Sequence, residues 1–169
     1  KKSGGIRHFF FGHGGNMEIR EVNSGEMKAA MALARRVFQT YEAPEYKREG
    51  IETFQKCLED SDFLQRLRVY GAFTDGKIVG MLATRNGGDH IALFFVDGAY
   101  HRRGIGRRLF FMAKSHNTSG KITVNSSPYA VEVYRHLGFT ATGTEQLTDG
   151  IRYTPMVFHV NEKMKTHFS

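Results

Sequence analysis

A single cysteine, Cys57, stands among 169 residues, so no disulfide can form within the chain and a reducing cytoplasm is the expected setting. Tryptophan is absent and there are only 3 prolines. No apolar run approaches the ~20 residues that a membrane-spanning helix needs. The cluster Phe9-Phe10-Phe11 is too short for the apolar centre of a signal peptide, and no cleavage site follows it. The 8 histidines are scattered without the paired spacing of metal ligands, so no metal is expected. There is no internal repeat and no low-complexity segment. What is present, 40% hydrophobic and 24% charged residues, is ordinary for one globular domain with a core of its own.

The charge is less ordinary, at a formal +7. Such a balance has two readings, a nucleic-acid partner or an anionic small molecule. Four arginines fall within one run, Tyr100-His101-Arg102-Arg103-Gly104-Ile105-Gly106-Arg107-Arg108-Leu109, and no common nucleic-acid motif appears elsewhere. Local use of those arginines by an anionic ligand is the more economical account. Two glycines in the run let the backbone turn and approach a ligand without a Cβ. A helix that starts there aims unpaired N–H groups and a positive dipole end at the same point. Guanidinium groups add paired donors suited to phosphate oxygens.

A P-loop would place Lys-Ser or Lys-Thr after the last glycine, where Arg107-Arg108 stands. A dinucleotide fingerprint would place a glycine where Leu109 stands. A basic, solvated helix start is the plainer alternative.

Along the chain, residues 1–16 read as a leader, an expression remnant or a disordered arm, residues 17–162 as one domain and residues 163–169 as a tail. Met17 to Val22 alternates as a half-buried strand does, and Asn23 with Glu26 forms a capping box ahead of an amphipathic helix from Met27 to Tyr41. A second helix, Glu49 to Leu67, breaks near Asp60-Ser61-Asp62; Cys57 lies among its apolar positions as a packed side chain. Asp75-Gly76 joins two strands in a type I′ hairpin. After a turn at Asn86-Gly87-Gly88-Asp89 comes a buried strand ending at Val96. The helix opening at Gly104 buries Ile105, Leu109 and Ala113. Ile122 to Asn125 is a strand, followed by a helix with Ser127 as N-cap, Pro128 at its first position and Gly138 as terminator. Phe139 to Thr142 and Arg152 to Val160 are the last strands.

Two of these segments resemble the GNAT superfamily of acetyl-CoA-dependent N-acetyltransferases. In the first, Ile91 to Tyr100 followed by the Gly104/Gly106 run, Val96, Tyr100, Gly104 and Gly106 match the family pattern. His101 replaces the usual Gln or Arg, and Gly98 replaces the usual Pro. In the second, Asn125 ends a strand, and Tyr134 precedes Leu137-Gly138-Phe139 on the next helix. The resemblance runs from about Met17 to the C-terminus. It implies an α/β fold of mixed α+β character, three layers deep, around a mostly antiparallel sheet of about six or seven strands splayed between the fourth and fifth.

The resemblance also implies roles. Phe94, Phe95 and Val96 would offer backbone groups to the pantetheine arm, or simply pack in the core. His101, Arg102, Arg103, Gly104, Ile105, Gly106 and Arg107 would hold the pyrophosphate, with Arg103 or Arg108 either reaching the 3′-phosphate or facing water. Asn125 would bond pantetheine, order a water, or merely end its strand. Tyr134 is the candidate general acid, since a phenol with an ordinary pKa of about 10 is protonated at neutral pH. Its alternative is an aromatic packed beside Val131 and Leu137. Tyr129, five residues before Tyr134, competes for the general-acid role or lines the cofactor edge.

The base is open among Glu18, Glu42, Glu45, His90 and a water chain. The implied activity is acetyl transfer from acetyl-CoA to a primary amine of a small molecule or protein by direct attack in a ternary complex. A non-catalytic CoA-binding regulatory module is the alternative. The expected partners are acetyl-CoA and an amine, without nucleic acid or membrane, and with homodimerisation common in such folds.

Overall fold

The computed structural model describes residues 16–160; the expected tail, and all of the expected leader but Asn16, lie outside them. Eight strands form the sheet: β1 (Met17–Glu21), β2 (Arg68–Thr74), β3 (Lys77–Arg85), β4 (His90–Val96), β5 (Lys121–Ser126), β6 (Thr140–Ala141), β7 (Gln146–Thr148) and β8 (Ile151–His159). Their order is β1-β2-β3-β4-β5-β8-β6, with β7 paired to β8. Every neighbouring pair is antiparallel except β4 and β5. The sheet is therefore mixed and mostly antiparallel, as expected. The expected strand from Phe139 to Thr142 is β6, and the strand beyond the expected six or seven is β7, only 3 residues long.

Among the described residues five α-helices flank it: α1 (Met27–Tyr41), α2 (Arg48–Glu59), α3 (Ser61–Gln65), α4 (Ile105–Ser115) and α5 (Val131–Leu137). Local chemistry sets their ends. Asn23 and Glu26 exchange side-chain and backbone bonds in a full capping box, and Arg20 grips the Glu26 carboxylate with two bonds of 2.7 Å. The expected break of the second helix is Asp60, whose carboxylate accepts from the Asp62 and Phe63 amides and starts α3. Asp75 and Gly76 both take positive φ, as a type I′ turn requires.

Apolar periodicity divides the core by sheet face. Ala30, Met31, Ala34, Val37 and Phe38 of α1 pack with Leu93 and Phe95 on one side. Ile105, Leu109 and Ala113 of α4 pack with Tyr134 of α5 and Phe139 on the other. Each fully buried leucine or phenylalanine of this kind contributes about 1.5–3 kcal/mol by leaving water. The three layers follow from that division.

The widest boundary difference is at α5, three residues, while the others differ by one or two. Ser127 Oγ accepts from the Ala130 amide, but it caps a turn, and α5 begins only at Val131. Gly138 ends α5 at φ +106°, as its type predicts.

Candidate active site

The sheet opens along one seam. β4 and β5 pair only through His90 with Thr123 and Ile91 with Val124, and then part. The cause lies in β4: Ile91 faces Thr84 and Leu93 faces Ala83, so Ala92 is an extra, bulged residue. A bulge bends its strand and increases the local twist. Beyond it the Asp97 amide donates to the Val79 carbonyl, and Phe95 lies opposite Met81. Alternation then turns the peptide groups of Phe95 toward β3 and those of Phe94 and Val96 toward the open seam. The Val96 carbonyl accepts a 2.7 Å bond from His101 Nε2, which must therefore carry the proton.

A cavity of about 410 Å³ fills the seam, between Phe94, Phe95 and Val96 of β4, the start of α4 and the side of α5. Its basic end is the α4 N-terminus. Gly104 adopts φ +74° there, in the left-handed region, and no side chain caps the helix. The first turn holds no acidic residue. Its unpaired amides and dipole thus present positive potential to the cavity. Arg102, Gly104, Ile105 and Gly106 line this end. The guanidinium of Arg103 lies over the Tyr100 ring and that of Arg107 over Phe111, both outside the lining.

A second, smaller cavity of about 180 Å³ adjoins it on the α1–α2 side. Phe38, Tyr46, Phe54 and Cys57 line it with Tyr153 of β8, and Phe38 stacks on Phe54 at 3.8 Å. Burial, with the Asp60 charge adding to it, raises the Cys57 thiol. This cavity depends on a close seat of α2 on the β7–β8 turn. Gly50 and Gly150 meet backbone to backbone with no room for a Cβ on either. Thr53 Oγ1 donates to the Asp149 carbonyl at 2.7 Å.

Glu42, Phe94, Phe95, Ala130 and Tyr134 border both cavities. Tyr134 is 5% exposed and packs edge-on against Phe94 and Phe139. Burial, with the Glu42 charge adding to it, pushes its phenol far above the ordinary value. Glu42 closes the C-terminal end of α1 and accepts a 3.0 Å bond from Ser127 Oγ. Burial pushes its carboxyl up to about 7; the Ser127 bond draws it down, and the Glu45 charge adds a smaller upward push.

The structure thus gathers Phe94, Phe95, Val96, His101, Arg102, Gly104, Ile105, Gly106, Tyr129 and Tyr134 around one cavity. Asn125 lines the second instead. Of the open candidates for a base, Glu42 alone borders the cavities. Glu18 pairs with Arg20, and His90, lowered to about 4 by burial, bonds Thr123 at the closed end of the seam. Sequence reasoning missed Tyr41, whose ring lies tilted against both His101 and Tyr129. Among the described residues no group of three or more His, Cys, Asp or Glu gathers that could hold a metal, and no helix is long and apolar enough to cross a membrane.

A family model described as an acetyltransferase (GNAT) domain matches residues 42–160. Among solved structures, a GCN5-related N-acetyltransferase from Rhodopseudomonas palustris is 21% identical, with a TM-score of 0.70 over 83% of this chain and 94% of that one. The PaiA N-acetyltransferase of Thermoplasma acidophilum, in complex with coenzyme A, is 20% identical, with a TM-score of 0.61 over 85% and 98%. The ribosomal-protein-S18-alanine N-acetyltransferase of Escherichia coli is 19% identical, with a TM-score of 0.59 over 86% and 94%. No curated protein matches in sequence.

Proposed function

The chain belongs to the GNAT family of acetyltransferases, and from that premise we propose that it transfers the acetyl group of acetyl-CoA to a primary amine by direct attack in a ternary complex. The observation that carries the reading is the meeting of two cavities at Tyr134 and Glu42 beneath the open β4–β5 seam. One space would take the acyl donor and the other the acceptor, with the reacting atoms at the shared wall.

The residues fit coenzyme A on their own chemistry. The α4 N-terminus offers uncapped amides, a left-handed Gly104 with open space where a Cβ would stand, and Arg102 at the rim. These suit a diphosphate. The seam-facing peptide groups of Phe94 and the Val96 amide suit the amides of pantetheine, and His101 fixes the end of β4 through the Val96 carbonyl. Tyr129 forms the exposed edge beside Tyr41. The PaiA structure, which contains coenzyme A, supports the same assignment.

Acetyl-CoA supplies an activated acyl group when bound. The chain's own task is to order two reactants and to manage protons. Tyr134, kept as a neutral phenol by burial, donates its proton to the departing sulfur. Seam-facing backbone amides stabilise charge on the carbonyl oxygen as it grows. The test is release of free thiol from acetyl-CoA over a panel of amines: amine-dependent release supports transfer, and binding of acetyl-CoA without release supports the regulatory module.

A further inference from the structure

Glu42 is a carboxylate without a cation. None of the ion pairs among the described residues includes it, and its single hydrogen-bond donor is the neutral Ser127 hydroxyl. It sits at the negative end of α1, where the dipole opposes a negative charge. Glu45 on the same connection repels it, while Tyr46, Tyr129 and Tyr134 around it bring no positive charge. A half-buried carboxylate so placed lacks one partner, and it borders the space between the two cavities.

The second cavity defines that partner further. At about 180 Å³ it lies below the ~300–1,000 Å³ usual for drug-sized ligands. On the α1–α2 side its wall is aromatic, with Phe38 and Phe54 stacked and Phe95 edge-on to Phe54, while Thr53, Asn125 and Ser127 add neutral polar groups. The cation in its lining, Arg152, is already paired with Glu145 at 3.2 Å.

We infer that Glu42, held by Ser127, receives the acceptor's amino group and takes its proton, and that the second cavity admits a small primary amine with an apolar body. This rests on the acetyl-transfer reading above. The amine arrives as ammonium and gives one proton to the Glu42 carboxylate. Its nitrogen then forms the C–N bond as the C–S bond breaks. The nitrogen sheds a second proton to water, the sulfur gains one from Tyr134, Tyr134 is reprotonated from water, and Glu42 releases its proton to water to become the carboxylate again. Ser127 is a positioning residue, acting only through Glu42.

The test measures thiol release from acetyl-CoA with 2-phenylethylamine, isoamylamine, spermidine and an alanine-initiated hexapeptide, across pH 5.5–9. The two apolar amines are expected to give the highest kcat/KM. Glu42→Gln should lower it by roughly 10²–10⁴-fold, the range for loss of a general base, and remove the levelling of the rate above neutral pH, leaving only the rise that follows the free amine. Ser127→Ala should move that levelling to higher pH, and Ser127→Thr should restore it. Thermal melting confirms that each variant folds. Preference for the peptide or for spermidine overturns the substrate class, and Glu42→Gln with wild-type rate and pH profile overturns the role of Glu42, while either leaves acetyl transfer standing. Silence with every amine overturns acetyl transfer and this inference with it.

Discussion

The Tyr41 hydroxyl fills the space in which a side chain at Gly98 would begin. The two residues are 57 positions apart in sequence, yet one fixes the identity of the other: Tyr41 leaves no room for the proline usual in this turn. Gly98→Ala should displace Tyr41 from His101 and Tyr129, cost about 1–3 kcal/mol in denaturant unfolding as overpacking does, and raise KM for acetyl-CoA. Adding Tyr41→Phe should recover only part of the loss in a double-mutant cycle, because the ring carbon itself is still close, 3.0 Å from that Cβ position.

Gly104 stands in open space, so its requirement is conformational rather than steric. Gly104→Ala must hold φ +74° with a Cβ, which costs about 1–2 kcal/mol. Gly104→Asn should be milder, since Asn tolerates that region. Calorimetric titration with acetyl-CoA should show weaker binding in the order Gly, Asn, Ala, with acceptor KM little changed.

The contact between Gly50 and Gly150 makes the opposite prediction for substrate order. A methyl group at residue 50 would meet the Gly150 carbonyl and push α2 off the β7–β8 turn. Gly50→Ala should therefore raise the acceptor KM more than the acetyl-CoA KM in steady-state assays, and lower Tm.

Glu42 also links stability to pH. Its carboxyl titrates near 7 in the folded protein against an ordinary 4.5, so between those values the native state binds more protons than the unfolded one. That contribution is full below about 4.5 and is lost as pH rises through 7. Glu42→Gln removes the loss. Relative to wild type, the variant should gain Tm on moving from pH 5 to pH 8, as read by thermal melts at both values.

Much of this was legible in the sequence because its causes are local. The capping box at Asn23 and Glu26, the turn at Asp75-Gly76 and the left-handed Gly104 each depend on a few adjacent residues. Strand β7 escaped the reading although Asp149-Gly150 repeats the Asp-Gly turn, with both residues at positive φ. Its residues are all exposed, so no apolar alternation marks them. The helix expected from Pro128 begins three residues later, at Val131, because Ser127 caps a turn and spends its hydroxyl hydrogen on Glu42. That bond spans 85 residues, and nothing in local pattern encodes it. The Tyr41–Gly98 pair is hidden for the same reason. Family resemblance gathered the residues around the larger cavity, whereas the acceptor side depends on long-range packing of α2 against the last hairpin.

Tyr134→Phe removes one oxygen atom and leaves the packing against Phe94 and Phe139 in place. Because burial keeps this phenol neutral well above its usual range, it should contribute no alkaline limb to the rate below pH ~10. The most direct measurement is the steady-state rate of thiol release from acetyl-CoA with a saturating primary amine, wild type beside Tyr134→Phe. Amine-dependent release that falls by roughly 10²–10⁴-fold in the variant, with acetyl-CoA affinity within a few-fold, is the predicted result. Equal rates in the two proteins, or no amine-dependent release in either, would contradict it.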